Sequence, residues 1–336
     1  MRKIDIFTHI SPPGFSEGVQ RVAGGLKDIG KRSRGVPMLH DLDIRFRVMD
    51  TFPEYQQVLS VPTPPIELFA TPEQAVELAT IANDSMADLV RKHPDRFVTF
   101  AAALPMNVPD AAARETHRAV KELGAKAIQI HSNILGKPLV AAEFLPIFEA
   151  MAGYDLPILL HPYRGADFPD YLSEQSSEYE IWWTFGWPYD TSAAMARIVF
   201  AGLFDTWPNL KIVAHHMGAM VPYFAGRVGP GWDQLGKRTT ERDLSLVLKG
   251  LKKRPLDYFK MFYADTALFG AYQATVCGLD FFGVNNVVFA SDAPFDPENG
   301  PMYIRETIKI IDRLELSNEQ REQIYWRNAA KLLKVN

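Results

Sequence analysis

Cysteine is almost absent from the sequence: the 336 residues include one, Cys277, so the chain cannot form an internal disulfide. Zinc ribbons and paired-thiol redox sites are excluded for the same reason. A charge excess is missing as well, because 36 Lys and Arg residues face 40 Asp and Glu residues, for a net charge of −4. A chain without a basic excess or a long basic run is a poor ligand for nucleic acid or an anionic membrane. We therefore expect a small molecule as its partner.

The sequence also lacks long apolar runs. No uninterrupted apolar run reaches the roughly 18 residues that indicate a transmembrane helix. The first ten residues lack the charged, apolar and small-residue order of a signal peptide. We therefore expect a cytoplasmic protein with no membrane partner.

Short β-branched runs alternate with longer amphipathic stretches along the chain, which is typical of a parallel sheet. A glycine-rich G-x-G-x-x-G loop does not follow the first run, and this argues against a nucleotide-binding fold. The pattern predicts an α/β fold, a closed (β/α)8 TIM barrel in a single domain over 1–336. The predicted strands cover 3–8, 57–61, 97–103, 126–131, 157–161, 211–215, 261–264 and 286–291.

Two connections, 11–45 and 162–190, are too long for ordinary barrel loops. Both follow predicted strands, so we expect them on the C-terminal face, where such insertions shape or cover a site. The basic segment GKRSRG at 30–35 is interpreted as a solvated loop rather than an anion site.

Four polar residues fall at or just beyond the C-terminal ends of predicted strands: His9, His161, His216 and Asp292. Any one of these histidines alone would be interpreted as a hydrogen-bonded structural residue. In a parallel barrel, however, these strand ends converge on one pocket. Three imidazoles and a carboxylate suit a divalent metal such as zinc, with one group left for proton transfer.

Several segments resemble the amidohydrolase-related family that contains 2-amino-3-carboxymuconate-6-semialdehyde decarboxylase and gamma-resorcylate decarboxylase. Each segment alone is weak, but their order and spacing run nearly end to end. They include IDIFTHI at 4–10, HPDRFVTFAAALP at 93–105, LPILLHP at 156–162, NLKIVAHHMGAM at 209–220, FYADTA at 262–267 and FASDAPF at 289–295.

The resemblance implies a distorted TIM barrel of the metal-dependent hydrolase type with one divalent metal, zinc most often and manganese as the alternative. His9, His161 and Asp292 match three ligand positions of the family, and Asp292 is counted among the catalytic residues too. His216 in HHMGA matches the catalytic histidine. His215 is interpreted as structural, because strand alternation is expected to turn it away from His216.

Phe7 departs from the family pattern, which has His or Glu two residues before His9. Alternation places Phe7 and His9 on one face of the first strand, so Phe7 should point into the pocket. Three outcomes are open. A metal is held by the remaining ligands with His216 or water completing its coordination, it binds weakly, or the protein works without metal.

Other residues are predicted to contact the substrate or support the site. Arg227 matches an arginine that reaches a substrate carboxylate across a dimer interface in the family, which implies a homodimer. Arg47 is a second candidate anchor for a carboxylate. Trp183 opens W-x-x-G-x-P-x-x-T, a stretch similar to one whose tryptophan packs on substrate. Asp265 in YADTA is expected to orient a ligand or His216.

These observations lead to three hypotheses about function. The first is a metal-dependent non-oxidative decarboxylase, a lyase acting on an unsaturated or aromatic carboxylic acid. The second is a metal-dependent hydrolase of a lactone, ester or amide, since related barrels use the same ligands to activate water. The third is a metal-free ligand-binding homologue, in which Phe7 has emptied the metal site.

Overall fold

The structure, a computed structural model, describes residues 1–24, 26–241 and 243–336. Within these residues, eight parallel strands form one sheet in which hydrogen-bonded neighbours follow chain order. A bridge between Thr8 and Ala293 joins the first strand to the segment after the last, which makes a nearly closed barrel. The strands are β1 (Lys3–His9), β2 (Tyr55–Ser60), β3 (Phe97–Ala102), β4 (Ala127–His131), β5 (Pro157–His161), β6 (Lys211–Ala214), β7 (Tyr263–Asp265) and β8 (Val287–Val288).

Helices surround the barrel and fill the long connections on its C-terminal face. They are α1 (Phe15–Ala23), α2 (Ile29–Arg34), α3 (Leu42–Met49), α4 (Pro72–Lys92), α5 (Pro109–Lys121), α6 (Leu145–Tyr154), α7 (Ile181–Thr184), α8 (Gly186–Phe200), α9 (Leu203–Thr206), α10 (His215–Gly218), α11 (Ser245–Gly250), α12 (Pro255–Phe259), α13 (Tyr272–Phe282), α14 (Pro301–Arg313), α15 (Asn318–Glu322) and α16 (Asn328–Leu333). In the described part of the chain, no helix is both long and apolar enough to cross a membrane.

The longest helix, α4, shows why these elements begin where they do. Thr71 accepts a hydrogen bond from the backbone N–H of Gln74, and the Gln74 side chain accepts one from the Thr71 N–H. This reciprocal capping box satisfies donors that the first helical turn leaves free. Pro72 directly follows the cap, where its missing N–H costs nothing.

Two apolar layers hold the barrel together. The inner layer is made by residues whose side chains point into the barrel, including Phe7, Val58, Leu159 and Val213. Alternate residues point outward and pack against the surrounding helices in a second, larger cluster. This inner layer is a packed core rather than a pore, and it forms the floor below the strand ends.

The predicted α/β barrel is confirmed, and each of the eight predicted strands corresponds to a strand of the sheet. The predicted strand 286–291 is wrong in its length, because the ladder ends at Val288. Beyond it the chain makes other bonds: the backbone N–H of Phe289 donates to Ile324 O, and that of Ala290 donates to the Thr266 hydroxyl. Asp292 then adopts a left-handed φ of 64°.

The basic segment 30–35 is also corrected. Within it, residues 30–34 belong to the short helix α2, which ends at Arg34 and is not an open loop. Arg32 is half-buried and donates hydrogen bonds to the carbonyl oxygens of Phe295 (3.2 Å) and Asp296 (2.8 Å). These bonds tie α2 to the segment that follows β8, so this helix packs on the C-terminal face.

Candidate metal centre and active site

Four potential metal ligands meet at the C-terminal end of the barrel. His9 ends β1, His161 ends β5, His215 directly follows β6, and Asp292 lies four residues beyond β8. One ligand atom from each of them lies within 4.8 Å of those of the other three, and all four residues are buried. Three of the four are the ligands expected from the sequence, and the fourth, His215, was not expected there.

The hydrogen bonds of His9 and His161 fix which ring nitrogen is available. His9 Nδ1 lies 3.1 Å from the carbonyl oxygen of Val61, and His161 Nδ1 lies 2.7 Å from that of Pro162. Because a carbonyl oxygen only accepts, each Nδ1 carries the proton, and Nε2 keeps its lone pair. Metal-binding histidines are usually oriented in this way through their second ring nitrogen.

His215 is oriented by a carboxylate instead of a carbonyl group. Its Nδ1 lies 2.6 Å from Asp265 Oδ2, and its Nε2 lies 3.5 Å from Asp292 Oδ1. Burial lowers the pKa of His215, but the neighbouring carboxylates of Asp265 and Asp292 outweigh burial and raise this pKa to about 9. A proton on this ring competes with a metal ion for the same Nε2.

The interpretation of His215 as a structural residue facing away from the site is contradicted by the structure. In β6, Val213 points into the barrel and Ala214 points outward, so alternation brings His215 inward again. The sequence-based prediction was wrong because it counted alternation from His216, which lies beyond the end of the strand. The strand ends at Ala214, so His216 no longer follows the strand period.

His216 reaches the same pocket through an unusual backbone turn. It has φ 56° and ψ 52°, a left-handed conformation that residues with a side chain rarely adopt. Its Nδ1 lies 2.7 Å from Ala267 O, so Nδ1 donates and Nε2 is free to exchange a proton. Burial and the neighbouring His215 lower the pKa of His216 to about 4.

Asp292 is held between two of the imidazoles. Its Oδ1 lies 3.1 Å from His9 Nε2, and its backbone N–H donates to Phe7 O at 3.1 Å. Burial alone would raise the pKa of Asp292, but its interaction with His215, whose own pKa is raised, lowers this pKa well below the ordinary range. The carboxylate is therefore ionised and available as an anionic ligand.

A buried polar network supports the cluster from below. Arg45 donates to the backbone carbonyl of His9 and, at 2.6 Å, to Gln57 Oε1. Asp5 accepts hydrogen bonds from the backbone N–H and the hydroxyl of Ser291, the residue before Asp292. These contacts fix the chain on both sides of the metal-ligand cluster.

These four residues fit a single metal ion. Zinc bond lengths near 2.1 Å place the ligands of a tetrahedral ion roughly 3.4 Å apart. The distances of 3.1 and 3.5 Å from Asp292 Oδ1 to the Nε2 atoms of His9 and His215 lie on either side of that spacing. Neutral imidazoles with a carboxylate are a donor set that binds divalent transition metals. The cluster is therefore a candidate metal centre despite Phe7.

A cavity of about 1050 Å³ opens directly above this cluster, with His161, His216 and Asp292 at its base. Its walls contain seven aromatic side chains among aliphatic and polar ones, and they come from both long connections and from the segments after β7 and β8. Such a shape accommodates a planar organic molecule. The aromatic lining residues are Tyr179, Trp182, Trp183, Trp187, Phe269, Phe295 and Tyr303.

The predicted substrate contacts divide into two groups. Trp183 lines the cavity, and its indole N–H donates to Glu180 Oε2 at 2.9 Å. Arg227 and Arg47 are exposed and lie outside the residues that line it. Arg227 therefore lies outside the cavity of its own chain, and its predicted contact with a substrate requires the cavity of a second chain. Arg47 lies on α3, where Arg45, two residues earlier, is the buried arginine.

Sequence reasoning missed several residues of the cavity wall. Lys31 and Arg32 line it from α2, and in the described lining they are the only Lys or Arg side chains. The cluster of basic residues at 30–35 was the available signal. Trp187 is buried and lines the cavity as well, with its ring 5.7 Å from that of His161, edge to face. Asp265, predicted to orient a ligand or His216, ends β7; its Oδ2 lies 2.6 Å from His215 Nδ1, and its Oδ1 accepts a hydrogen bond from the backbone N–H of His216.

The chain is similar in sequence to two known decarboxylases. Gamma-resorcylate decarboxylase from Polaromonas sp. is 32% identical over 310 residues, which cover 88% of this chain and 87% of the relative. The 2-amino-3-carboxymuconate-6-semialdehyde decarboxylase of Dictyostelium discoideum is 28% identical, covering 98% of this chain and 91% of the relative.

A solved structure is also similar. It is the dihydroxybenzoic acid decarboxylase from Polaromonas sp. with bound manganese and the inhibitor 2-nitroresorcinol, at 27% identity and a TM-score of 0.76, covering 99% of this chain and 97% of that one. The family model described as amidohydrolase matches residues 4–335. The chain is therefore a member of the amidohydrolase family of enzymes.

Proposed function

We propose that the protein is a metal-dependent, non-oxidative decarboxylase of a hydroxylated aromatic carboxylic acid. One observation carries this proposal: the His9, His161, His215 and Asp292 cluster lies at the base of a cavity with aromatic walls. Both relatives named above are decarboxylases, and the solved structure contains a nitroresorcinol inhibitor. These names support the reaction class and an aromatic substrate.

A divalent metal held by these four residues would supply positive charge that stabilises the electron pair left behind as carbon dioxide departs. We propose zinc as this metal, because three of the four donors are imidazole nitrogens. Manganese is the alternative, and the manganese in the Polaromonas structure supports it.

His216 is the proposed proton carrier. Decarboxylation breaks the bond between the ring carbon and the carboxylate, and the ring carbon must then receive a proton. The Nε2 of His216 faces the pocket with a free lone pair, since Nδ1 is bonded to Ala267 O. The lowered pKa keeps this ring neutral near pH 7, with its proton on Nδ1. In this proposal Nε2 therefore first takes a proton from solvent and then passes it to the ring carbon, and the low pKa favours that second transfer.

The cavity walls have separate roles in this proposal. Trp183 and Trp187 form an aromatic surface against which the substrate ring packs. Lys31 attracts the substrate carboxylate, and Arg32 holds α2 in place through its bonds to Phe295 O and Asp296 O. Arg227 from a second chain and Arg47 remain predicted contacts of the substrate carboxylate. A homodimer and a cytoplasmic location also remain predictions.

The variant His216→Gln tests the proposed reaction. Glutamine preserves a donor for Ala267 O but cannot carry a proton at neutral pH. We expect it to bind metal normally and to lose roughly 100- to 10,000-fold in carbon dioxide release from 2,6-dihydroxybenzoate, with deuterium from D₂O entering the product of the unchanged enzyme.

The matched control is His117→Gln, which alters an exposed histidine on α5 that bonds to Tyr154. It should leave the rate unchanged. Release of an acid or opening of a lactone without carbon dioxide would identify a hydrolase and contradict the proposal. Tight binding of the aromatic acid without any turnover by the metal-loaded protein would identify a binding protein and contradict it as well.

A further inference from the structure

Phe7 lies against the metal-ligand cluster in an ordered arrangement. Its ring is fully buried and faces that of His215, with the centroids 3.9 Å apart and the planes inclined by 17°. The rings of His9 and His161 lie 6.1 and 5.9 Å away, both tilted. Phe7 therefore occupies the inward position two residues before His9, and its contact with His215 is the closest of these three.

His215 carries a buried polar atom that the rest of the described chain leaves unsatisfied. Its side chain has no exposed surface, and its Nε2 has no hydrogen-bond partner among the described residues. The other nitrogen, Nδ1, is fixed by Asp265 at 2.6 Å. Asp292 Oδ1, 3.5 Å away, attracts this nitrogen by its charge but makes no hydrogen bond with it, and a buried nitrogen without a hydrogen bond is costly unless a ligand completes it. A metal ion between His215 and Asp292 would provide that ligand.

We propose that the metal ligand expected at position 7 of β1 is supplied instead by His215, directly after β6. Phe7 is then a positioning residue that holds the His215 imidazole. The stacked phenyl ring limits rotation about the His215 side chain, while Asp265 fixes the tilt of the ring. The metal retains three imidazoles and one carboxylate although β1 contributes one ligand instead of two.

This arrangement has a geometric basis in the two strands. Phe7 and His215 both point into the barrel, and they meet face to face across its interior. A histidine at position 7 would start from the same inward-facing backbone position and reach the same cluster from the opposite side. A ligand can therefore be supplied from either strand, and in this chain the inward position on β1 holds a phenyl ring while the one after β6 holds the imidazole.

The proposal is tested by a reciprocal substitution read out as metal affinity. The proteins compared are the unchanged chain, His215→Gln, Phe7→His and the double variant. Each is stripped and titrated with Zn²⁺ against a chelating indicator, and with Co²⁺ to record the visible absorption of the ligand field. Glutamine is chosen because its amide can still bond to Asp265, which protects the fold.

Losing a residue that only hydrogen-bonds to a metal ligand typically weakens metal binding by roughly 10- to 100-fold. We expect His215→Gln to weaken Zn²⁺ binding by more than this. The double variant should recover at least about tenfold of that loss. The matched control is His131→Gln, a buried histidine at the end of the neighbouring strand β4 that is outside the four-residue cluster. It should bind within about threefold of the unchanged chain.

Two further variants separate positioning from packing. Phe7→Tyr preserves the stacked ring and should preserve the Co²⁺ spectrum. Phe7→Leu removes the ring, so it should shift the spectrum and weaken metal binding. This difference should remain even if the two metal-free variants have the same unfolding temperature. Unchanged affinity and spectrum in His215→Gln would overturn the proposal. A folded double variant that recovers nothing would overturn it too.

These measurements use metal alone, so they are independent of the reaction. A protein that shows this pattern but hydrolyses its substrate would overturn the proposed decarboxylase and support the ligand role of His215. If the protein is a decarboxylase and His215→Gln still binds metal with unchanged affinity, the decarboxylase proposal is supported and the ligand role of His215 is overturned.

Discussion

Asp265 Oδ2 lies 2.6 Å from His215 Nδ1, so a carboxylate at the end of β7 orients an imidazole at the end of β6. The other oxygen of Asp265 accepts hydrogen bonds from the backbone N–H groups of His216 and Ala267. One side chain therefore holds both the candidate ligand and the turn that carries the candidate proton donor.

Replacing Asp265 with Asn should weaken metal binding. Asn preserves the shape but removes the negative charge that orients His215 and increases its basicity, and such changes typically cost 10- to 100-fold in metal affinity. Competition with a chelator measures the loss. Asp205→Asn, which alters a carboxylate bonded to Tyr258 away from the cavity, serves as control. Equal affinities in Asp265→Asn and the unchanged protein would remove Asp265 from the metal centre.

Trp183→Ala should impair substrate binding more than turnover. The indole forms part of the cavity wall, so its loss removes a flat surface against which the substrate ring packs. We expect KM to rise about tenfold, which corresponds to roughly 1.4 kcal/mol, with little change in kcat. Phe185→Ala in the same connection is the control, because Phe185 is 64% exposed and not among the lining residues. An equal effect of both variants would contradict the assigned wall.

Lys31→Met should raise KM for an aromatic carboxylate by roughly three- to fivefold, the range expected of an exposed ion pair. The effect should shrink as ionic strength rises, since salt screens exposed charges. Steady-state kinetics at two salt concentrations measure both. Lys27→Met provides a control from the segment just before α2. A KM that does not respond to Lys31→Met would leave α2 without a part in substrate recognition.

Glu67 should make the protein less stable as pH rises. It is buried, its Oε1 has no hydrogen-bond partner in the described residues, and burial raises its pKa from 4.5 to about 7. The unfolded chain loses this proton from about pH 4.5, whereas the folded chain retains it to about pH 7. The free energy of unfolding therefore falls across this interval, by roughly 3 kcal/mol for the full shift.

Glu67→Gln should remove that part of the pH dependence. Urea unfolding at pH 4.5 and pH 7.5 should show a smaller decline in the variant, which becomes the more stable protein at the higher pH. The exposed Glu315→Gln should behave like the unchanged chain. Parallel pH profiles for Glu67→Gln and the unchanged chain would contradict the raised pKa.

The barrel could be predicted from the sequence because each strand and helix has a local hydrophobic period. His9, His161 and Asp292 could be placed because they follow strands whose ends converge in any parallel barrel. His215 was missed because alternation was counted back from His216, and His216 has already left the strand period: the strand ends at Ala214 and His216 adopts a left-handed conformation.

The cavity wall was harder to predict than its base. Lys31 and Arg32 reach the cavity only because α2 folds over the end of the barrel, a tertiary contact without a local pattern. Arg45 did carry a signal, since it is four residues before the buried Met49 on α3, whereas Arg47 falls on the exposed face. The role predicted for Arg227 depends on a second chain.

The most direct test of the account is to titrate metal-free protein with Zn²⁺ or Mn²⁺ while measuring carbon dioxide released from carboxyl-labelled 2,6-dihydroxybenzoate. We predict that release is absent without metal and rises in proportion to added ion. It should level off at one equivalent per chain, with one resorcinol formed for each carbon dioxide. Release that is independent of metal, or full metal occupancy without release from this or other hydroxybenzoates, would contradict a metal-centred decarboxylase.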